Sequence, residues 1–153
     1  MKLSHLLRPE HILLDIPVKT REEVLAYVAQ HLEREGAVRS AQDLVDLLLD
    51  RERLGATVVG EETAIPHCKV PGLKNIVATF VRIREPIQFG ADEAGKVRLL
   101  FFVLSPREQP AAHLQVLANI SRLLRNPSAR RSFLEARSAD ELSQALSRLE
   151  TSA

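Results

Sequence analysis

One of the five histidines stands apart from the others by its setting. His67 lies in Ala64-Ile65-Pro66-His67-Cys68-Lys69-Val70-Pro71-Gly72, a stretch too rich in Pro and Gly for a helix. It predicts a stiff loop between extended segments, the kind of place where rigid scaffolds display reactive groups. His5, His11 and His31 fall at a terminus, at a strand start and on a charged helix, and read as surface or packing residues. No H-x-H, H-x-x-x-H or C-x-x-C spacing offers a metal its three or four ligands. His67 and Cys68 are neighbours, so in extended backbone they face opposite ways and cannot act as a Cys–His pair. The chain also lacks the G-x-S-x-G, GxxxxGK[ST] and GxGxxG patterns. What remains is imidazole itself as a nucleophile. With an ordinary pKa of about 6.5, one ring nitrogen keeps a free lone pair at neutral pH, while the other can donate a hydrogen bond that fixes the tautomer. Such a nitrogen can accept a phosphoryl group and relay it through a labile N–P bond. The site would need cations or N–H donors around the phosphoryl oxygens and little else.

The residues around His67 extend this reading. Arg51-Glu52-Arg53-Leu54-Gly55-Ala56-Thr57, followed by Ala64-Ile65-Pro66-His67, resembles the signature of EIIA proteins of the bacterial phosphotransferase system. The likeness is to the fructose/mannitol class (type 2) and its nitrogen-regulatory branch. It continues through Pro86-Ile87-x-Phe89-Gly90-Ala91, the apolar strand before Ser105-Pro106, and His113-Leu114-x-x-Leu117, so it spans essentially the whole chain. The resemblance implies that His67 is phosphorylated by a histidine-phosphorylated HPr-type carrier. It implies that Arg51 lies near the phosphoryl group and that His113 is the second active-site histidine. Both placements make physical sense. A guanidinium at a helix end can bind two phosphoryl oxygens at once, and the first turns of a helix favour anions.

Two departures from the family pattern bear on the site. Cys68 follows the active histidine where glycine is usual, which puts a side chain and a thiol beside the phosphorylation site. A buried small hydrophobe is the simpler reading of it, and redox modulation the other. Glu61 and Glu62 follow Gly60 in place of small or polar residues; they read as a solvated turn, or as a repulsive element toward a phosphorylated donor.

The elements that must position these residues are legible in the hydrophobic pattern. His11 to Ile16, ending at Pro17, predicts a strand. Thr20 and Glu23 form a capping box, with Val24, Leu25, Val28, Ala29 and Leu32 at helical spacing and Gly36 as the stop. Ser40 and Asp43 open a second helix, with Leu44, Leu47, Leu48 and Leu54 on one face and Gly55 closing it. Thr57 to Val59 reads as extended and Gly60 to Thr63 as a turn. Ile76 to Val81 and Val97 to Leu104 read as strands, the latter apolar on both sides and so central in a covered sheet. Pro86 to Gly90 and Asp92-Glu93 read as the loop between them. Ser105-Pro106-Arg107-Glu108 or Pro110 begins a helix carrying Leu114, Leu117, Ile120, Leu123 and Leu124. A short helix around Arg130–Ala136 and a last one boxed by Ser138 and Glu141 follow. The order β-α-α-β-β-α-α implies a sheet with helices on two faces. With the family resemblance, the expectation is a single α/β domain over residues 1–153, with a mixed β-sheet flanked by helices on both faces.

Composition narrows the function classes. The chain is 45% hydrophobic and 27% charged, with 21 Lys+Arg against 20 Asp+Glu for a net +1. A domain of this length buries roughly 70% of its unfolded surface and needs no disulfide or metal to fold. The lone Cys68 cannot form an internal disulfide. No apolar run approaches the ~18 residues of a membrane span, and the residues from Met1 open no signal peptide, so the expectation is a cytoplasmic protein without membrane insertion. The near-zero balance argues against nucleic acid as a partner, and five Phe with one Tyr and no Trp supply no stacking platform. The total conceals an asymmetry: residues 1–62 carry 8 basic and 12 acidic side chains, net −4, and residues 63–153 carry 13 and 8, net +5, so the expected site draws Arg51 from the acidic half and His67, Lys69 and His113 from the basic one. Arg122, Arg125, Arg130, Arg131 and Arg137 form a basic stretch, read as exposed helix faces. The function expected is a phosphocarrier, an enzyme only in the sense of a phosphotransferase component, without cofactor or metal. Its partners would be an HPr-type carrier and either a sugar-specific EIIB component or regulatory protein targets. The alternative is a regulatory binding protein whose phosphorylation state selects partners without onward transfer. A relative in which Cys68 has abolished phosphorylation is a third possibility.

Overall fold

The computed structural model describes residues 2–92 and 95–152, so Met1 of the predicted amino terminus and Glu93 of the predicted connecting loop lie outside the described residues. The elements run α1 (Leu3–Leu6), a 3-10 turn at Pro9–His11, β1 (Ile12–Ile16), α2 (Arg21–Arg34), α3 (Ala41–Arg53), β2 (Val58–Gly60), β3 (Thr63–Ala64), β4 (His67–Lys69), β5 (Val77–Gln88), β6 (Lys96–Ser105), α4 (Pro110–Leu124), α5 (Pro127–Glu135) and α6 (Ala139–Ser152). The predicted caps form. The Glu23 N–H donates to Thr20 Oγ1, Asp43 to Ser40 Oγ and Glu141 to Ser138 Oγ, each at 3.1 Å. Each satisfies one of the N–H groups that a helix start leaves without a partner.

The strands form one mixed sheet in the order β1-β5-β6-β3-β2, with β4 also paired to β6. β1 and β5 run parallel, β5 and β6 antiparallel, and β3 and β4 both lie parallel to β6. β6 is buried almost throughout, as its continuous apolar run requires. One face packs against α2 and α3 through Leu25, Val28, Leu32, Leu44 and Leu48. The other packs against α1 and α4–α6 through Leu3, Val116, Ile120, Phe133 and Leu142, with Phe80, Phe101 and Phe133 in mutual ring contact at 5.0–5.8 Å.

The structure corrects the expected elements in three places and decides between two expected starts in a fourth. His67 is on a short strand rather than in a loop. Residues 63–69 follow the edge of β6 as two pieces, broken at Ile65-Pro66 because proline has no N–H to give the ladder. Pro86, expected in a loop, lies within β5 where the pairing with β6 shifts register between Arg82 and Ile87, a bulge that tolerates proline. Of the two expected starts of α4, the structure takes Pro110, because Ser105 ends β6. α5 begins at Pro127, three residues ahead of its predicted start, because the Asn126 side chain caps it. The Gly60–Thr63 turn is a two-residue hairpin with Glu61 and Glu62 at φ 55° and 60°, backbone that favours glycine.

One buried cation ties the layers together. Arg82 on β5 donates from Nε and Nη2 to the Asp15 carboxylate, both at 2.9 Å, and from Nη1 to the carbonyls of Phe133, Leu134 and Ala136. Those carbonyls end α5, where a helix leaves its C=O groups unpaired. The guanidinium also holds the Asp15 carboxyl below its ordinary range. Replacing Arg82 with Met keeps the stem and removes all five hydrogen bonds, so we expect a loss on the order of 3 kcal/mol, read as a lowered urea midpoint with an unchanged slope.

Candidate functional site

The site is built where β4 meets β6. Their register places His67 beside Val103, Cys68 beside Leu104 and Lys69 beside Ser105. Neighbouring residues on paired strands share a face. Cys68 and Leu104 therefore enter the layer under α2 and α3, while His67, Lys69, Val103 and Ser105 face the layer that holds α4. His113, in the first turn of α4, is buried there, and its ring centroid lies 5.5 Å from that of His67.

His67 is half-buried, and its Nδ1–H donates to the carbonyl of Ile65 at 2.7 Å. A carbonyl can only accept, so the proton sits on Nδ1 and Nε2 carries the free lone pair. Burial is the largest influence lowering the His67 pKa, and the Arg51 charge lowers it further. The Ile65 bond and the Glu52 carboxylate pull the other way without reversing the shift. His113 is lowered too, first by burial and then by His67 and Lys69. Both imidazoles are therefore neutral at neutral pH.

The Arg51 element explains its own residue types. Arg51 stands in the last turn of α3, which packs on β4, and its Nη1 donates to the Gly55 carbonyl at 2.8 Å. Gly55 has φ 147°, a conformation open to glycine. The adjacent Glu52 is buried and accepts from the Thr57 N–H at 3.0 Å and the Thr57 hydroxyl at 2.6 Å. The string R-E-x-L-G-x-T thus ties the end of α3 into the turn that leads to β2, and among the described residues the other N–H groups of the Arg51 fork have no hydrogen-bond partner.

The structure therefore brings together the three residues singled out from sequence, His67, Arg51 and His113, keeps Lys69 beside them as the sequence implies, and adds three that were not singled out. Glu52 and Thr57 were visible inside the Arg51 motif, but their bond is made only when the turn closes. Ser105, whose hydroxyl is 2.6 Å from His113 Nδ1, read as a helix start. Two of the other histidines are engaged elsewhere: His11 and His31 stack edge to face at 6.4 Å, and His31 Nε2 lies 2.6 Å from the Glu10 carbonyl. Cys68 is buried, and burial pushes its thiol up to about 12, so it stays protonated and unreactive at neutral pH. In the basic stretch, Arg130 donates to the Leu124 carbonyl and lies 3.8 Å from Glu61, while Arg137, just ahead of α6, lies 3.7 Å from Glu141. Among the described residues no three His, Cys, Asp or Glu side chains converge as a metal would need, and no helix is long and apolar enough to cross a membrane. The arrangement offers a neutral imidazole with a free Nε2 lone pair close to the charge of Arg51 and to the His113 ring.

The chain has recognisable relatives among known proteins. Residues 5–149 match the family model described as phosphoenolpyruvate-dependent sugar phosphotransferase system, EIIA 2. The chain is similar to a nitrogen regulatory protein of Bradyrhizobium diazoefficiens, 35% identical over 145 residues that cover 93% of this chain and 92% of that one. Its fold is similar to the crystal structure of nitrogen regulatory protein IIA-Ntr from Neisseria meningitidis, with TM-score 0.87, 33% identity and coverage of 94% and 98%. It is also similar to a chain in the complex of enzyme IIAMTL and phosphorylated enzyme IIBMTL from Escherichia coli, with TM-score 0.76, 25% identity and coverage of 93% and 99%.

The depressed imidazole pKa values have a measurable consequence. In NMR titrations His67 and His113 should both protonate below pH 6.5. Between those folded-state values and 6.5 the unfolded chain binds more protons than the native one, so native stability falls as pH drops through that window. Chemical denaturation at pH 7.5 and pH 5.5 checks the sign.

Proposed function

The chain belongs to the EIIA 2 family of the phosphoenolpyruvate-dependent sugar phosphotransferase system, and we propose that it is a phosphocarrier whose His67 takes a phosphoryl group from a phosphohistidine on an HPr-type protein. The observation that supports this most is the Nδ1–H bond of His67 to Ile65, which leaves Nε2 as the nucleophile. Nε2 attacks the phosphorus in line as the donor's N–P bond breaks, and the bonding pair returns to the donor's ring. The His67 proton stays on Nδ1, so the phosphorylated ring carries positive charge that the Ile65 carbonyl shares. Arg51 and His113 hold the equatorial oxygens of the transferring group, and Lys69 adds a cation. These are cytoplasmic exchanges between proteins.

Exposed leucines flank the machinery. Leu54, 84% exposed, follows Arg51 at the end of α3, and Leu114, 66% exposed, follows His113 on α4. Side chains of this size left in water beside a reaction centre suit apolar contact with a carrier protein. The likeness to a chain seen with phosphorylated IIBMTL supports an EIIB component as acceptor. The likeness to nitrogen regulatory proteins supports a second reading, in which the phosphorylation state of His67 selects regulatory partners and no onward transfer occurs.

Incubation with phosphoenolpyruvate, Enzyme I and HPr should give an acid-labile, alkali-stable phosphoryl group that His67→Ala abolishes. Arg51→Ala or His113→Ala should slow its formation by about 10²- to 10³-fold. Absence of label with cognate donors would overturn the phosphocarrier reading, and passage of label to an EIIB would overturn the purely regulatory one. Leu114→Asp should raise the KM for phosphorylated HPr at least about tenfold with kcat little changed, since it alters docking and not chemistry.

A further inference from the structure

The bond between Ser105 and His113 fixes more than a distance. Ser105 ends β6, with its carbonyl accepting from the Val70 N–H at 2.9 Å and its backbone in register with Lys69, so the strand carrying His67 clamps it in place. Its side chain is fully buried. His113 is set from the other side, by the first turn of α4, where its N–H donates to the Gln109 carbonyl at 3.1 Å. Between them, Ser105 Oγ lies 2.6 Å from His113 Nδ1.

Two proton arrangements could make that contact. If Nδ1 carried the proton and donated to Oγ, the hydroxyl proton of Ser105 would need a second acceptor. Among the described residues Oγ has no partner other than Nδ1. A buried hydroxyl proton without an acceptor is a costly defect that native interiors avoid. The hydroxyl must therefore donate to Nδ1, and the single proton of the neutral ring then sits on Nε2. This is the complement of His67, where a carbonyl holds the proton on Nδ1 and frees the Nε2 lone pair. The two rings, 5.5 Å apart, end up in opposite tautomers, one presenting a nucleophile and the other a donor.

We propose that Ser105 is a positioning residue that locks His113 in its Nε2–H tautomer, so that His113 meets a phosphoryl group on His67 as a hydrogen-bond donor. The inference rests on the phosphocarrier reading for its purpose but not for its geometry. Without the hydroxyl, His113 would divide between tautomers, and the Nδ1–H form would turn a lone pair toward phosphoryl oxygens, a repulsive contact.

The tautomer is directly observable. In ¹⁵N-labelled wild-type protein at pH 7.5, long-range ¹H–¹⁵N spectra should show a protonated Nε2 and an unprotonated Nδ1 for His113, and the reverse for His67. Ser105→Ala should mix the His113 pattern and leave that of His67 alone, while Ser105→Thr, which keeps the hydroxyl, should restore it. With HPr-type donor, Ser105→Ala should lower kcat for label transfer roughly tenfold at unchanged donor KM, and Ser105→Thr should recover most of it. A protonated Nδ1 on His113 in the wild type would overturn the proposal, and it needs no variant to fold. So would a His113 pattern indifferent to Ser105→Ala, or a tautomer change with no loss of rate. Failure of wild-type protein to accept phosphate would strike the phosphocarrier reading and leave the tautomer assignment standing.

Discussion

The parallel ladder between β4 and β6 is the constraint on which the site depends. Strand alternation has a period of two, so a slip of one residue would exchange the faces of His67 and Cys68. The thiol would then point at the α4 layer, and the imidazole would be buried under α2 and α3. The register is held by what each face accepts: Cys68 and Leu104 complete an apolar layer, while His67 and Ser105 meet the polar start of α4. Pro66 contributes by interrupting the ladder just before His67, which lets the Ile65 carbonyl turn to receive the Nδ1 proton.

From that placement the electrostatics follow. Desolvation and neighbouring cations act together on both rings, and each disfavours imidazolium. Arg51, the cation that adds to burial in lowering the His67 pKa, is one that a phosphoryl group on His67 would meet under the proposed function. The site is thus poised for an anion while holding its own imidazoles uncharged. Glu52 fits this scheme as a buried carboxylate satisfied by Thr57, a restraint on the Arg51 turn. The net charge of +1 conceals all of this, because the site draws Arg51 from the acidic half of the chain and His67, Lys69 and His113 from the basic half.

Much of this was legible in the residues. Helix starts at Thr20, Ser40 and Ser138 depend on contacts within four residues, and local sequence decides such contacts. The apolar run of β6 announced a central strand. The start of α5 was missed on a local contact, the Asn126 cap, but the errors nearest the site came where the decision is made at long range. Pro86 looked like a loop because nothing nearby shows that a bulge opposite β6 will house it. His67 looked like a loop residue because β4 has three residues and exists by pairing with a strand more than thirty positions away.

By itself the sequence determined which chemistry was available: one histidine set after proline, an arginine in a helix-ending motif, a second histidine early in a later helix, and no metal-binding spacing. It also determined the two amphipathic helix layers and the buried strand between them, since periodicity is a local property of the chain. Only the tertiary structure decided how these groups act on one another. Tautomers, pKa shifts and the partnership of Ser105 with His113 or Arg82 with the end of α5 depend on which groups lose water and which donors face which acceptors. Those are facts about residues far apart in the chain and adjacent in space.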